Sequence, residues 1–228
     1  MSLAPQRHVL AVYPHPDDES LGKAGTLALF SKQKTPMTLI CSTLGQMGRN
    51  MGRPLFANRE TLPKIREKEL RDACEVLCIE DLRLFRLRDK TLEFEDPEYL
   101  ADKIETVIHE VNPSLIITYY PKFGVHPDHD AMSHATVIAV KRLPLAKRPV
   151  IYGSPVTRDA REILGPPDIE IDVREVYDVK MAAIRAHKSQ TEGMLLQMAE
   201  EAQKDEAVKA QMEANMNTES YWIVPIGD

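Results

Sequence analysis

Val9-Leu10-Ala11-Val12-Tyr13-Pro14-His15-Pro16-Asp17-Asp18-Glu19 is the stretch on which the reading of this chain turns. Five apolar residues in succession predict a strand covered on both faces. At its carboxyl end stand one imidazole and three carboxylates. A partial echo lies further on: Leu115-Ile116-Ile117-Thr118-Tyr119 is a second such run, and His126-Pro127-Asp128-His129 follows it. Two strands with His and Asp at their carboxyl ends can bring those side chains to one point. That is the composition of a hydrolytic metal site.

Outward from these segments, strand and helix patterns alternate. Residues 8–13 predict a strand and 19–33 a helix opening at the Asp-Asp-Glu turn. Residues 37–41 predict a second strand, and 59–78 a helix carried by Leu62, Ile65, Leu70, Ala73 and Leu77. A third strand at 82–87 precedes a helix at 97–111, with Asp96 as cap and Pro97 in the first helical position. After the strand at 115–119, the pattern predicts a helix at 130–142 and a strand at 149–153. The order predicts an α/β fold, Rossmann-like, with a mostly parallel sheet and helices on both faces. Such sheets bind ligands outside the carboxyl ends of their strands, where both His-Pro-Asp segments fall.

The remainder reads as a short strand at 169–173, a helix at 176–186, a Met- and Glu-rich helical stretch at 191–216 and a last strand at 221–224. Met194, Met198 and Met212 at helical spacing fit core or subunit contact better than a cofactor site. With no low-complexity linker, the reading is a single domain over residues 1–228 with a helical C-terminal part.

A hydrophobic content of 43% is enough for a real core, and a formal net charge of -6 disfavours a broad nucleic-acid footprint. No run approaches the roughly 18 apolar residues of a membrane span, and Met1 to His8 lacks the pattern of a signal peptide. The expected location is cytoplasmic. The three cysteines, Cys41, Cys74 and Cys78, form no disulfide framework and are expected in the core.

His15 and Asp18 stand three residues apart on a turn shaped by Pro16, and His129 can supply a third ligand from the other strand. Two nitrogens and one oxygen suit Zn²⁺ and leave a position for water, although manganese and ferrous iron accept the same donors. Asp17 is placed to serve as general base. His126 can donate to an oxyanion, and Asp128 can orient His126 or His129 from behind. The competing reading of Asp17-Asp18-Glu19 alone is a helix-capping cluster. The pairing of two such segments at matching strand ends argues against it.

The two segments together resemble the zinc-dependent N-acetylglucosaminyl deacetylases of the PIG-L/LmbE family. Pro14, Gly45-Gln46-Met47-Gly48-Arg49-Asn50-Met51-Gly52, Leu87-Arg88-Asp89-Lys90-Thr91 and Phe94-Glu95-Asp96-Pro97-Glu98-Tyr99 are similar to the branch that acts on N-acetylglucosaminyl-malate in bacillithiol biosynthesis. The resemblance implies zinc at His15, Asp18 and His129, a base at Asp17, an oxyanion-stabilising His126 backed by Asp128, and sugar contacts from Arg66 and Asp89. It also implies a homo-oligomer, trimer or hexamer, acting on a small amino-sugar conjugate. Two positions depart from it. Gly124 stands where some relatives have a Tyr that assists at the oxyanion, leaving Tyr119, Tyr120 and Tyr152 as substitutes, and Gln46 stands where relatives often have an acid. A malate-bearing substrate needs cations, and Arg49 and Arg53 on the glycine loop are candidates. The rival classes are a non-catalytic metal-binding protein, against which Asp17 and His126 count, and a metal phosphoesterase, which often needs a second metal.

Overall fold

The computed structural model describes residues 3–227. The central strands β1 (Val9–Tyr13) and β4 (Leu115–Tyr119) are buried at every residue. Side chains alternate across a strand, so each apolar run feeds two cores. Val9, Ala11 and Tyr13 join Leu27, Phe30, Leu70 and Tyr221 on one face. Leu10 and Val12 join Ile104, Ile108, Met132 and Val140 on the other. The continuous hydrophobicity that marked these strands is therefore the signature of burial on both sides.

Five strands run parallel: β1, β2 (Met37–Thr43), β3 (Asp81–Leu87), β4 and β5 (Val150–Ser154). Strand β7 (Thr218–Ile223) runs antiparallel to both β5 and β6 (Ile169–Asp172), giving the order β3-β2-β1-β4-β5-β7-β6. From β1 the chain winds outward through β2 and β3, then returns to place β4 on the other side of β1. The crevice at this reversal, beyond the carboxyl ends of β1 and β4, is the expected ligand position of such a sheet.

Helix α6 (Tyr177–Ala186) contacts both α1 (Ala24–Lys32) and α2 (Leu62–Val76), and α3 (Pro97–Val111) contacts α4 (Pro127–Lys141). A short α5 (Ala160–Leu164) is absent from the sequence reading. The Met-rich stretch is two helices, α7 (Lys188–Lys204) and α8 (Glu206–Asn217). They part at Asp205, whose carboxylate accepts the Ala207 N–H at 2.8 Å. The methionines of this pair are only partly buried. Cys41 and Cys74 are buried as expected, but Cys78 is exposed, because α2 ends at Val76 and the chain turns through Cys78 with φ 54°.

Helix α1 starts at Ala24 rather than at residue 19, and residues 16–23 are turns. Its free N–H groups are met from far along the chain. The Glu219 carboxylate on β7 accepts Gly25 N–H at 3.0 Å, Thr26 N–H at 2.8 Å and the Thr26 hydroxyl at 2.7 Å. Lys180 of α6 pairs with it at 2.8 Å, and both side chains are buried. Gly25 is needed there, since a Cβ would lie 2.6 Å from that of Val173.

Candidate active site

His15, Asp18 and His129 converge at the reversal point. His15 Nδ1 lies 3.2 Å from His129 Nε2 and 3.4 Å from Asp18 Oδ2, and His129 Nε2 lies 3.4 Å from Asp18 Oδ1. Donors held 2.0–2.1 Å from a tetrahedral Zn²⁺ are about 3.3 Å apart. The three residues therefore close at spacings of the size one ion needs, with His15 facing one Asp18 oxygen and His129 the other.

The surroundings of each donor support that fit. His129 Nδ1 lies 2.8 Å from the Gly124 carbonyl, so that nitrogen carries the proton and Nε2 keeps its lone pair. His15 Nε2 faces Asp89 Oδ1 at 3.1 Å and Asp128 Oδ2 at 3.2 Å, which leaves Nδ1 free to ligate an ion. Asp18 accepts from Tyr119 Oη at 2.6 Å and from the His15 N–H at 2.8 Å. Tyr119 also stacks on the His129 ring, with centroids 4.0 Å apart. Ligating atoms also cluster as His15, His126, His129 and as His15, Asp89, Asp128. In the second cluster the carboxylates already accept backbone N–H groups, Asp128 from Lys90 and Leu92 and Asp89 from Met47. Their geometry is that of groups orienting His15.

Asp17 adjoins the candidate donors His15, Asp18 and His129 without joining them. Its carboxylate is 3.2 Å from Arg66 Nη2, and burial pushes its pKa up to about 6 against the pull of that guanidinium. Its backbone lies at φ 113°, a region that residues other than glycine rarely adopt. His126 caps α4: its Nδ1 accepts the Asp128 N–H at 3.1 Å, which puts the neutral ring's proton on Nε2. Burial and the nearby His15 hold His126 below the usual histidine range.

His15, Asp17, Asp18, His126 and His129 line one cleft of about 440 Å³, as do Arg66, Asp89, Lys90 and Lys23. Arg66 is buried beneath it and donates to the carbonyls of Pro16 and Gly45 as well as facing Asp17. Gly45 must be a glycine, since its φ is 60° and a Cβ would lie 1.8 Å from Arg66 Nη1. Arg49 and Arg53 are exposed and do not line the cleft. Gly124 packs so closely that a Cβ would lie 2.6 Å from that of His129. Of the tyrosines named as substitutes, only Tyr119 lines the cleft, and its hydroxyl is engaged with Asp18.

Comparison with known proteins places this arrangement. The family described as GlcNAc-PI de-N-acetylase (PIG-L) matches residues 10–140, which include both His-Pro-Asp segments and more than half of the chain.

The chain belongs to the PIG-L family.

A Bacillus cereus member named "Probable N-acetyl-alpha-D-glucosaminyl L-malate deacetylase 2" is 56% identical, over 83% of this chain and 86% of its own length. Among solved structures, the N,N'-diacetylchitobiose deacetylase of Pyrococcus horikoshii shares the fold with a TM-score of 0.73 and 20% identity, covering 96% of this chain and 84% of its own. The 4-carboxy-2-hydroxymuconate hydratase of Pseudomonas putida shares it too, with a TM-score of 0.67 and 21% identity over 96% of each chain. A deacetylase and a hydratase on one architecture mean that the reaction has to be argued from the site.

The sequence reading of this PIG-L protein missed three groups. Lys23 is buried, donates to the Leu21 carbonyl at 3.0 Å, and lies 4.3 Å from the Tyr119 ring centroid. Burial lowers its pKa to about 8. Lys90 adjoins Asp89 at the cleft. His187, fully buried, meets Glu19 at 2.6 Å. Of these, only Lys90 lies in a quoted motif. The others depend on contacts that spacing cannot reveal.

Proposed function

We propose that this PIG-L protein is a zinc-dependent amidohydrolase that removes the acetyl group of N-acetylglucosaminyl L-malate, the step that serves bacillithiol biosynthesis. One observation carries the reading: the donor triangle of His15, Asp18 and His129 stands beside a carboxylate, Asp17, that is not part of it. The name of the 56%-identical relative supports the substrate.

His15 Nδ1, Asp18 and His129 Nε2 would hold the Zn²⁺, which when bound polarises the acetamide carbonyl and acidifies a water molecule. Asp17 takes the proton of the attacking water. The Nε2–H of His126 donates to the oxygen that becomes negative as the carbonyl carbon turns tetrahedral. Asp128 and Asp89 hold His15 in one tautomer. The C–N bond then breaks, Asp17 returns its proton to the leaving nitrogen, and the products are acetate and a free amine. Among the cations lining the cleft, Lys23 and Lys90 match the anionic malate, while Arg66 is engaged with Asp17 and the Pro16 and Gly45 carbonyls.

The test is product analysis of the zinc-loaded protein with N-acetylglucosaminyl L-malate beside free N-acetylglucosamine. Stoichiometric acetate and amine from the malate conjugate are expected. Acetate from neither compound would overturn the reading, and metal analysis should give one zinc per chain.

A further inference from the structure

Asp17 is gripped at two points. Its carboxylate meets Arg66, and its peptide N–H donates to Glu19 Oε2 at 3.1 Å. The other oxygen of Glu19 accepts the Ser20 hydroxyl at 2.6 Å and faces His187 Nε2 at 2.6 Å. Glu19 and His187 are both fully buried, and neither lines the cleft. His187 lies at the junction of α6 and α7, 168 residues away in sequence. An ordinary buried ion pair ties one element to another. This one ends on the peptide group of a single residue, at the position where that residue's backbone is at φ 113°.

We propose that Glu19 and His187 are positioning residues for Asp17. The imidazole fixes the Glu19 carboxylate, and Glu19 holds the Asp17 N–H. That bond keeps Asp17 in its left-handed conformation, with its own carboxylate aimed into the cleft. The chain from His187 to Asp17 is the route by which the C-terminal part of the molecule reaches the reaction. The inference rests on Asp17 being the general base. It assigns to the buried His–Glu pair a role in the chemical step, in addition to any part in stability.

The experiment is a double-mutant cycle on the zinc-loaded enzyme with N-acetylglucosaminyl L-malate. His187→Ala is expected to lower kcat on the order of 10²-fold, the cost of a misplaced reacting group, with KM and zinc content unchanged. His187→Gln, which keeps a donor toward Glu19, should recover most of the loss. In an Asp17→Asn background, His187→Ala should cost nothing further. Equal losses in both backgrounds, or normal kcat in His187→Ala while Asp17→Asn is impaired, would overturn the positioning role and leave the base assignment intact. Near-normal kcat in Asp17→Asn alone would overturn the base assignment and this proposal with it. Where His187→Ala does not fold, His187→Leu, which fills the space but offers Glu19 no donor, reads the same link. A crystal structure of that variant should show Asp17 displaced from positive φ, and an unchanged φ would overturn the proposal.

Discussion

Every residue lining the cleft lies between His15 and Val156, whereas residues 180–221 line none of it. Yet the second region holds the first in place. Glu219 caps α1, His187 meets Glu19, and Ser189 is tied to Glu69 through its N–H at 2.7 Å and its hydroxyl at 2.6 Å. The Ser189 carbonyl accepts the Met51 N–H, and Gln190 donates to the Arg49 carbonyl, so α7 also pins the glycine loop. On the proposed reaction, the reacting groups and the groups that position them come from different parts of the chain. Substitutions in the first region should act on chemistry and metal, and those in the second on conformation.

The division breaks first, if at all, at the metal. His15→Ala, Asp18→Ala or His129→Ala should each lose bound zinc and fall to background activity together, because each deletes a ligand of the proposed three-donor site. Full zinc occupancy in all three, by elemental analysis of purified protein, would show that the donors have been misassigned. Next in size is His126→Gln, which removes the oxyanion donor but no ligand. Its kcat should fall about 10²–10³-fold with zinc retained. Asp128→Asn acts one step further back, through His15, and should cost about 10–100-fold in zinc affinity or activity.

The first region was legible in the sequence because its information is local. The runs at β1 and β4 are apolar throughout since both faces of each strand are covered, and the His-Pro-Asp segments sit where those strands end. Arg66 and Asp89 rested on resemblance alone. Their burial against Asp17 and His15 is a product of the fold, which brings Arg66 on α2 and Asp89 after β3 to the cleft beyond β1. The second region was illegible for the complementary reason. The Asp17-Asp18-Glu19 cluster reads as the start of a helix, but the cap of α1 is Glu219, 193 residues from the Thr26 N–H it accepts. The break between α7 and α8 was hidden because apolar spacing continues through Asp205, while the cap that ends the first helix and starts the second is polar.

Glu219→Ala tests whether the second region works as a scaffold. It strips the cap from α1 and leaves Lys180, 1% exposed, with the Met216 carbonyl at 2.8 Å but no counter-charge. Breaking a buried pair by deleting one member costs about 3–5 kcal/mol, so urea denaturation should show a loss of that size. At low temperature, where the fold survives, zinc content should be near normal. A stable Glu219→Ala protein would mean that Lys180 finds another partner, and α1 another cap.

The smallest effect is expected from Arg49 and Arg53, and it sharpens the comparison at its edge. Both stand on the glycine loop of the first region, but their side chains are exposed and outside the cleft lining. Their backbone is held by the second region, through Gln190 on the Arg49 carbonyl and Glu192 on the Arg53 N–H at 2.5 Å. If they assist a malate-bearing substrate, they do so from solvent, where a charge pair is worth about 0.2–1 kcal/mol. Arg49→Ala and Arg53→Ala should therefore lower kcat/KM for the malate conjugate by no more than about fivefold, and leave its uncharged methyl glycoside analogue unaffected. Raising the salt concentration should shrink even that difference. A selective loss well beyond fivefold would mean that the loop closes over the substrate and brings an arginine into a desolvated contact. Equal losses on both substrates would assign the arginines to holding the loop, and leave Lys23 and Lys90 as the cleft cations available to the malate.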